Sequence, residues 1–240
     1  MALLPWLEAE VDSIVQATPD TRRYFLRVRG VDRFDFKPGQ FVTLDLPIHE
    51  KPNKRWRSYS IASAPSSTNE FELVIVLDPQ GVGTPWLFNH VNPGHVFSFR
   101  GPQGVFVLPD PIPQQPLFFI CTGTGIAPFR SMLLDMLPSL PATQPVYLVF
   151  GCRTEADLLY VDEMRDLQQK FPNFHYHPVL SRSTWAGHTG YVHEVYSSLC
   201  ADHPEAFFYL CGWKDMIDEA RQRLQHLGYE KRHVHFELYG

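Results

Sequence analysis

Leu117-Phe118-Phe119-Ile120-Cys121-Thr122-Gly123-Thr124-Gly125-Ile126-Ala127-Pro128 is the stretch whose reading decides the fold. An apolar strand ends in a glycine-rich turn, and a helical pattern near Phe129 to Leu137 follows. Such a turn lets backbone N–H groups approach a pyrophosphate, aided by the helix N-terminus. The pattern departs from G-x-G-x-x-G, because Ala127 and Pro128 follow the second glycine. Taken alone, the segment reads equally well as a tight turn without ligand. Its place at the carboxyl end of the first strand of its half favours a ligand.

Downstream, apolar strands at Val146 to Phe150, Phe174 to Leu180 and Phe207 to Cys211 alternate with helical stretches. These helices are expected near Glu155 to Lys170, Val192 to Leu199 and Lys214 to Leu227, before a last strand from Val234 to Tyr239. That alternation predicts an α/β, Rossmann-like parallel sheet with covered faces. Upstream, Pro109-Asp110-Pro111-Ile112-Pro113-Gln114-Gln115-Pro116 reads as a linker. Before it the period is that of short alternating strands: Val11 to Val15, Tyr24 to Val28, Gln40 to Leu46, Ser58 to Ala62, Phe71 to Leu77 and His95 to Arg100. Turn signals separate them, and six strands so spaced predict an antiparallel, Greek-key β-barrel. One short helix is expected among them, with Thr84 as N-cap and Pro85 at its first position. The expected domains are residues 1–110 and 111–240.

Composition bounds the function. The chain has 240 residues, 44% of them hydrophobic, and no apolar run approaches the length of a membrane span. Met1 to Glu8 lacks a basic start and a cleavable apolar stretch, so no signal peptide is read. Four scattered cysteines fit neither a zinc pattern nor an iron–sulfur set, so no metal is expected and a reduced cytoplasmic protein is the default. A monomer is expected. A net charge of −5 argues against nucleic-acid binding. Lys51-Pro52-Asn53-Lys54-Arg55-Trp56-Arg57 is a basic exception, either a solvated loop or a dock for an acidic partner. His175/His177 and His233/His235 are read as ordinary strand residues, having no carboxylate or cysteine ligands nearby.

Directly after the basic loop comes Arg57-Ser58-Tyr59-Ser60. In an extended segment Arg57 and Tyr59 project to one face and Ser60 to the other. Arg57 suits a pyrophosphate, and Tyr59 suits a flavin ring with its hydroxyl turned to a ribityl chain. An ordinary half-buried strand has the same pattern.

Several segments together resemble the ferredoxin–NADP reductase family of flavoproteins along essentially the whole chain. Phe36-Lys37-Pro38-Gly39-Gln40-Phe41-Val42 is similar to its turn into a barrel strand, and Arg57-Ser58-Tyr59-Ser60 to its flavin motif. Gly101-Pro102-Gln103-Gly104 resembles the turn closing the barrel, and Thr122 to Pro128 the nicotinamide-nucleotide loop. Phe150-Gly151-Cys152-Arg153 and Tyr209-Leu210-Cys211-Gly212 resemble two later strand ends.

The resemblance implies an FAD-binding barrel followed by an NAD(P)-binding domain, with flavin and nicotinamide meeting between them. Arg57, Ser58, Tyr59 and Ser60 would hold FAD, with Gly83 and Thr84 at its second phosphate. Thr84 stands where relatives usually have Ser. Thr122, Gly123, Thr124, Gly125, Arg153, Cys211 and Gly212 would meet the nicotinamide nucleotide. Ser181 and Arg182 would contact a 2′-phosphate, which favours NADP(H) over NAD(H). Ser60, Cys211, Glu237 and Tyr239 would form the catalytic set, with Glu237 in a proton relay and Tyr239 covering the flavin. Gly240 follows Tyr239, whereas some relatives end at the aromatic, and Trp213 stands where they often have a smaller residue or proline. Cys211 also reads as a plain buried strand-end cysteine. The implied activity is hydride transfer between NADP(H) and FAD, and single-electron transfer between FAD and ferredoxin or flavodoxin, docking at Lys51, Lys54 and Arg55. The alternatives are the NADH-dependent reductase component of an oxygenase system, or a flavin- and nucleotide-binding regulatory subunit without turnover.

Overall fold

The computed structural model describes residues 4–201 and 205–239; Gly240 and the first three residues lie outside that range. The chain divides into two compact units, Met1–Val107 with Ala127–Asp135, and Leu108–Ile126 with Met136–Gly240.

In the first unit, β1 (Leu7–Thr18), β2 (Thr21–Val28), β3 (Phe41–Asp45), β4 (Trp56–Ser60), β5 (Glu70–Val76) and β6 (Val96–Gln103) form one antiparallel sheet. Their order is β4-β3-β6-β1-β2-β5. The sheet closes on itself where its two outer strands meet. Ile61 bridges Leu73, and the Ala62 N–H donates to the Glu72 carbonyl at 2.8 Å. Alternation explains the interior: Val42 and Leu44 are fully buried, while Phe41, Thr43 and Asp45 between them are only half-buried. Phe34, Phe71 and Phe99 fill the centre with ring centroids 5.2 to 5.7 Å apart. Each buried ring contributes about 1.5–3 kcal/mol of transfer free energy.

The helix α1 (Gly83–His90) corrects the expected cap. It starts before Thr84, with Val82 as N-cap and no side-chain cap bond. The Thr84 hydroxyl instead closes the preceding loop, accepting from the Asp78 N–H at 2.8 Å and facing the Asp78 carbonyl at 3.3 Å. Local side chain–backbone bonding has competed with capping.

The second unit is a parallel sheet of β7 (Leu117–Thr122), β8 (Val146–Cys152), β9 (Phe174–Leu180), β10 (His188–Thr189), β11 (Phe207–Trp213) and β12 (Val234–Tyr239), in the order β10-β9-β8-β7-β11-β12. α2 (Ile126–Met136) follows β7 in the chain, but its residues Ala127–Asp135 belong to the first unit; α3 (Val161–Lys170), α4 (Val192–Leu199) and α5 (Lys214–His226) follow in turn in the second. From β7 the chain moves first to β8 on one side and later to β11 on the other. The carboxyl ends of β7 and β11 are therefore the switch point at which open α/β sheets bind ligands.

Two further differences have local causes. The helix expected from Glu155 begins only at Val161. The Thr154 N–H donates to the Asp157 carboxylate at 2.8 Å and closes a single turn, after which Leu158 and Leu159 are drawn inward and Tyr160 takes φ 56°. The short β10 lacks any sequence period, because two residues are too few to show one. His175, His177 and His235 sit in strands as expected, among aromatic rings such as Tyr147 beside His175 and Tyr209 beside His235, whereas His233 ends the short 3-10 turn Lys231–His233 just before β12. Among the described residues, no cluster of His, Cys, Asp or Glu suits a metal ion, and no helix is long and apolar enough to cross a membrane.

Candidate active site

The predicted site residues fall into two groups, one in each unit. In the barrel, β4 pairs with β3 so that Tyr59 lies opposite Val42 and Arg57 opposite Leu44. Directly opposed residues share a face, so Arg57 and Tyr59 point to the side of the core residues. Ser58 and Ser60 share the other face with Thr43 and Phe41, and Ser58 is hydrogen-bonded to Thr43 at 2.9 Å. Ser60 is buried at 4% exposure.

The Arg57 guanidinium is aimed by its Nη1, which donates to the carbonyls of Lys54 at 3.1 Å and Trp56 at 2.8 Å. Its side chain runs against the start of α1, where a Cβ added to Gly83 would stand 3.0 Å from Arg57 Nε. A fixed cation thus adjoins a helix N-terminus with no side-chain cap, whose first N–H groups lack intrahelical acceptors. This cradle fits a dinucleotide phosphate, for which the Gly83 and Thr84 N–H groups would be the backbone donors. Burial raises the Tyr59 phenol well above its usual range, partly opposed by the Arg57 charge. Tyr59 therefore remains a hydroxyl donor at neutral pH, as a ribityl or ring contact requires.

In the second unit the glycine-rich turn is stitched to the neighbouring strand end. A Cβ on Gly125 would lie 2.4 Å from the Cys211 carbonyl oxygen. A Cβ on Gly212 would lie 2.4 Å from Thr122 Oγ1, and Gly212 holds φ +141°. Only glycine permits this approach. Thr122 Oγ1 is itself buried and has no hydrogen-bond partner among the described residues. An orphaned hydroxyl at a switch point, next to a glycine-rich turn, fits a polar ligand such as a nicotinamide nucleotide.

Cys211, Glu237 and Tyr239 come together because β12 lies beside β11, with Cys211 registered to Glu237 and Trp213 to Tyr239. Cys211 is completely buried. Its burial pushes the thiol well up, the Glu237 charge pushes it further, and a hydrogen bond with Tyr239 opposes both. The group is therefore a neutral thiol at physiological pH, suited to packing against a ring rather than to nucleophilic attack. Trp213, beyond it, is 62% exposed.

Ser181 and Arg182 follow β9 and are both exposed. The Arg182 N–H donates to the Arg153 carbonyl at 2.8 Å, setting these two residues side by side at the ends of β9 and β8. The Ser181 hydroxyl donates to the Cys152 carbonyl at 3.3 Å. Neither guanidinium has a carboxylate partner within ion-pair distance among the described residues. Two unpaired arginines at the carboxyl ends of parallel strands suit a phosphate dianion. Sequence reasoning missed Arg130, a buried cation of α2, because one arginine in a helix reads as part of a solvated face.

A closed antiparallel barrel with an anion cradle, together with a parallel sheet carrying a nucleotide turn, defines a two-module flavin- and nicotinamide-dependent oxidoreductase. Residues 8–108 match the model of the oxidoreductase FAD-binding domain, and residues 119–222 that of the oxidoreductase NAD-binding domain. The chain is 33% identical over 241 residues to ferredoxin–NADP reductase B of Sorangium cellulosum, covering 97% of each. It is 32% identical over 211 residues to the anthranilate 1,2-dioxygenase electron transfer component of Acinetobacter baylyi, covering 87% of this chain but 60% of that longer protein. A ferredoxin NADP+ reductase from Neisseria gonorrhoeae with bound FAD and NADP superimposes with a TM-score of 0.79 at 25% identity, covering 97% of this chain and 98% of that one. The chain belongs to the ferredoxin–NADP reductase family, and it is an FAD- and NAD(P)-binding flavoenzyme.

Proposed function

We propose that this enzyme transfers a hydride between NADP(H) and FAD, and single electrons between FAD and a ferredoxin or flavodoxin, as a monomer in the cytoplasm. Residues 1–110 serve as the FAD-binding domain and 111–240 as the NAD(P)-binding domain. The observation that carries the reading is the stitched switch point, where the Thr122–Gly125 turn meets Cys211 and Gly212 and the next strand adds Glu237 and Tyr239. Bound FAD supplies the two-electron to one-electron chemistry that no side chain can perform. Arg57 and the start of α1 would hold its pyrophosphate, Tyr59 its ribityl and ring, and Ser60 its ring edge. Thr122 to Gly125, Arg153, Ser181 and Arg182 bind the nucleotide. Cys211 packs its uncharged thiol beside the nicotinamide, Glu237 handles protons and Tyr239 covers the flavin. All four cysteines are free thiols, which suits a reducing compartment.

NADP(H) is favoured by Arg153 and Arg182, which have no carboxylate partner among the described residues, and by the names of the Sorangium and Neisseria relatives. Arg182→Ala is expected to raise the NADPH half-saturation by about tenfold, as loss of a charged contact of roughly 1.5–3 kcal/mol implies, with NADH little changed. Steady-state rates with both nucleotides check this; unaltered selectivity would sink the Arg182 assignment. The second reading is an NADH-dependent reductase of an oxygenase system; the Acinetobacter relative, by name a dioxygenase electron transfer component, supports the oxygenase part of it.

The dock for an acidic carrier is the exposed pair Lys51 and Lys54. Arg55 contributes less, since it is paired with Asp45 at 2.8 Å. Reversing Lys51, Lys54 and Arg55 to Glu is expected to slow carrier reduction about tenfold or more at low salt and to leave reduction of a small neutral acceptor unchanged. Equal carrier rates at low salt would move the dock elsewhere.

A further inference from the structure

We infer that Arg130 is a positioning residue for the flavin site, fastening the barrel seam at the backbone two residues after Ser60. The inference rests on Arg57 to Ser60 being the flavin-binding strand. β4 and β5 are the two outer strands of the sheet, and only a few bonds join them. Ile61 bridges Leu73, the Ala62 N–H donates to the Glu72 carbonyl, and the Glu72 N–H donates to Ser63 Oγ at 3.1 Å. The Ala62 carbonyl is completely buried and receives its donor from outside the ladder. That donor is Arg130 Nη1 at 2.8 Å, from α2, which begins immediately after the glycine-rich turn.

The same Nη1 lies 3.0 Å from Glu72 Oε2. Glu72, 3% exposed, also receives Arg23, with Nε 2.6 Å from Oε1 and Nη2 3.1 Å from Oε2. A carboxylate buried between two guanidiniums does not by itself favour a fold over apolar filler of the same volume. What Arg130 does that an apolar residue cannot is satisfy the Ala62 carbonyl and the carboxylate together. Ala62 is two residues from Ser60, so fixing that carbonyl fixes the direction in which Ser60 and Tyr59 leave the barrel wall. Arg23 shares the carboxylate, whereas the Ala62 carbonyl receives Arg130, and this asymmetry makes the role testable.

The full-length, FAD-loaded wild type is compared with Arg130→Met, Arg130→Lys and Arg23→Met. Thermal melts confirm folding, and anaerobic rapid mixing with NADPH separates the limiting rate of flavin reduction from the half-saturating concentration. Arg130→Met is expected to lower the limiting rate about tenfold or more while half-saturation stays within about twofold, the signature of a displaced reacting group. Arg130→Lys recovers part of the rate, and Arg23→Met stays near wild type. Equal losses in Arg23→Met and Arg130→Met would reduce Arg130 to neutralising Glu72, and a wild-type rate in Arg130→Met would overturn the inference outright. Should Arg130→Met fail to fold, Arg130→Lys decides: a wild-type limiting rate with an unaltered visible circular dichroism of the flavin refutes the positioning role. A wild type that never bleaches would defeat the flavin-reductase reading and this inference with it, whereas bleaching at equal rates in every variant defeats the inference alone.

Discussion

Gly125→Ala is expected to lower nucleotide-driven flavin reduction by about 100-fold while FAD remains bound, the scale of loss that an ångström of misplacement produces. The added Cβ would meet the Cys211 carbonyl oxygen at 2.4 Å, its carbonyl carbon at 2.7 Å and Gly212 Cα at 3.1 Å. All three are backbone atoms of a central strand paired on both sides, so no side-chain rotation relieves the clash. The turn must lift or β11 must shift, and either movement changes the placement of the turn against Cys211. Overpacking of this kind costs about 1–3 kcal/mol or more. Gly123 provides the control. A Cβ there has nothing within 4 Å and meets only the φ of +53°, which costs a non-glycine residue about 1–2 kcal/mol. Gly123→Ala should therefore be the milder change. Limiting rates, half-saturation and FAD content of the two variants test this, and wild-type kinetics in Gly125→Ala would show that the close approach is dispensable.

Arg57→Ala should weaken FAD binding by about 100-fold or more, because two charge-assisted bonds at roughly 1.5–3 kcal/mol each are lost from the phosphate cradle. Titrating the stripped protein with FAD by fluorescence reads the effect directly. Arg57→Lys should recover only part of it, since an ammonium lacks the planar fork. Full FAD affinity in Arg57→Ala would mean that Arg57 serves only to tie the Lys54 and Trp56 carbonyls.

Much of the fold was legible because burial leaves a period. The buried Val42 and Leu44 alternate with less buried neighbours, so β3 announced itself. In β7, Leu117 to Cys121 are buried without interruption, as a strand covered on both faces must be. What escaped prediction depends on contacts with no period. Thr84 was expected to cap α1, but its hydroxyl found Asp78 first. Glu155 looked like a helix start, and an equally local bond from Thr154 to Asp157 closed a single turn instead.

The candidate site divides in the same way. Arg57-Ser58-Tyr59-Ser60 and Thr122 to Gly125 are contiguous, and their residue types state their chemistry. The grouping of Cys211 with Glu237 and Tyr239 depends on β12 lying beside β11 rather than elsewhere in the sheet. Spacing in sequence does not contain that order; family resemblance supplied the expectation. Arg130 left no signal at all, since its burial comes from packing onto the barrel and not from its own helix.

The central claim is that this chain reduces its flavin with a nicotinamide nucleotide, and that NADP(H) is the preferred one. Anaerobic titration of the FAD-loaded protein, followed by visible absorption, tests it most directly. Complete bleaching with stoichiometric NADPH, at lower concentration and higher rate than with NADH, is the predicted result. A flavin spectrum that neither nucleotide bleaches would contradict the account.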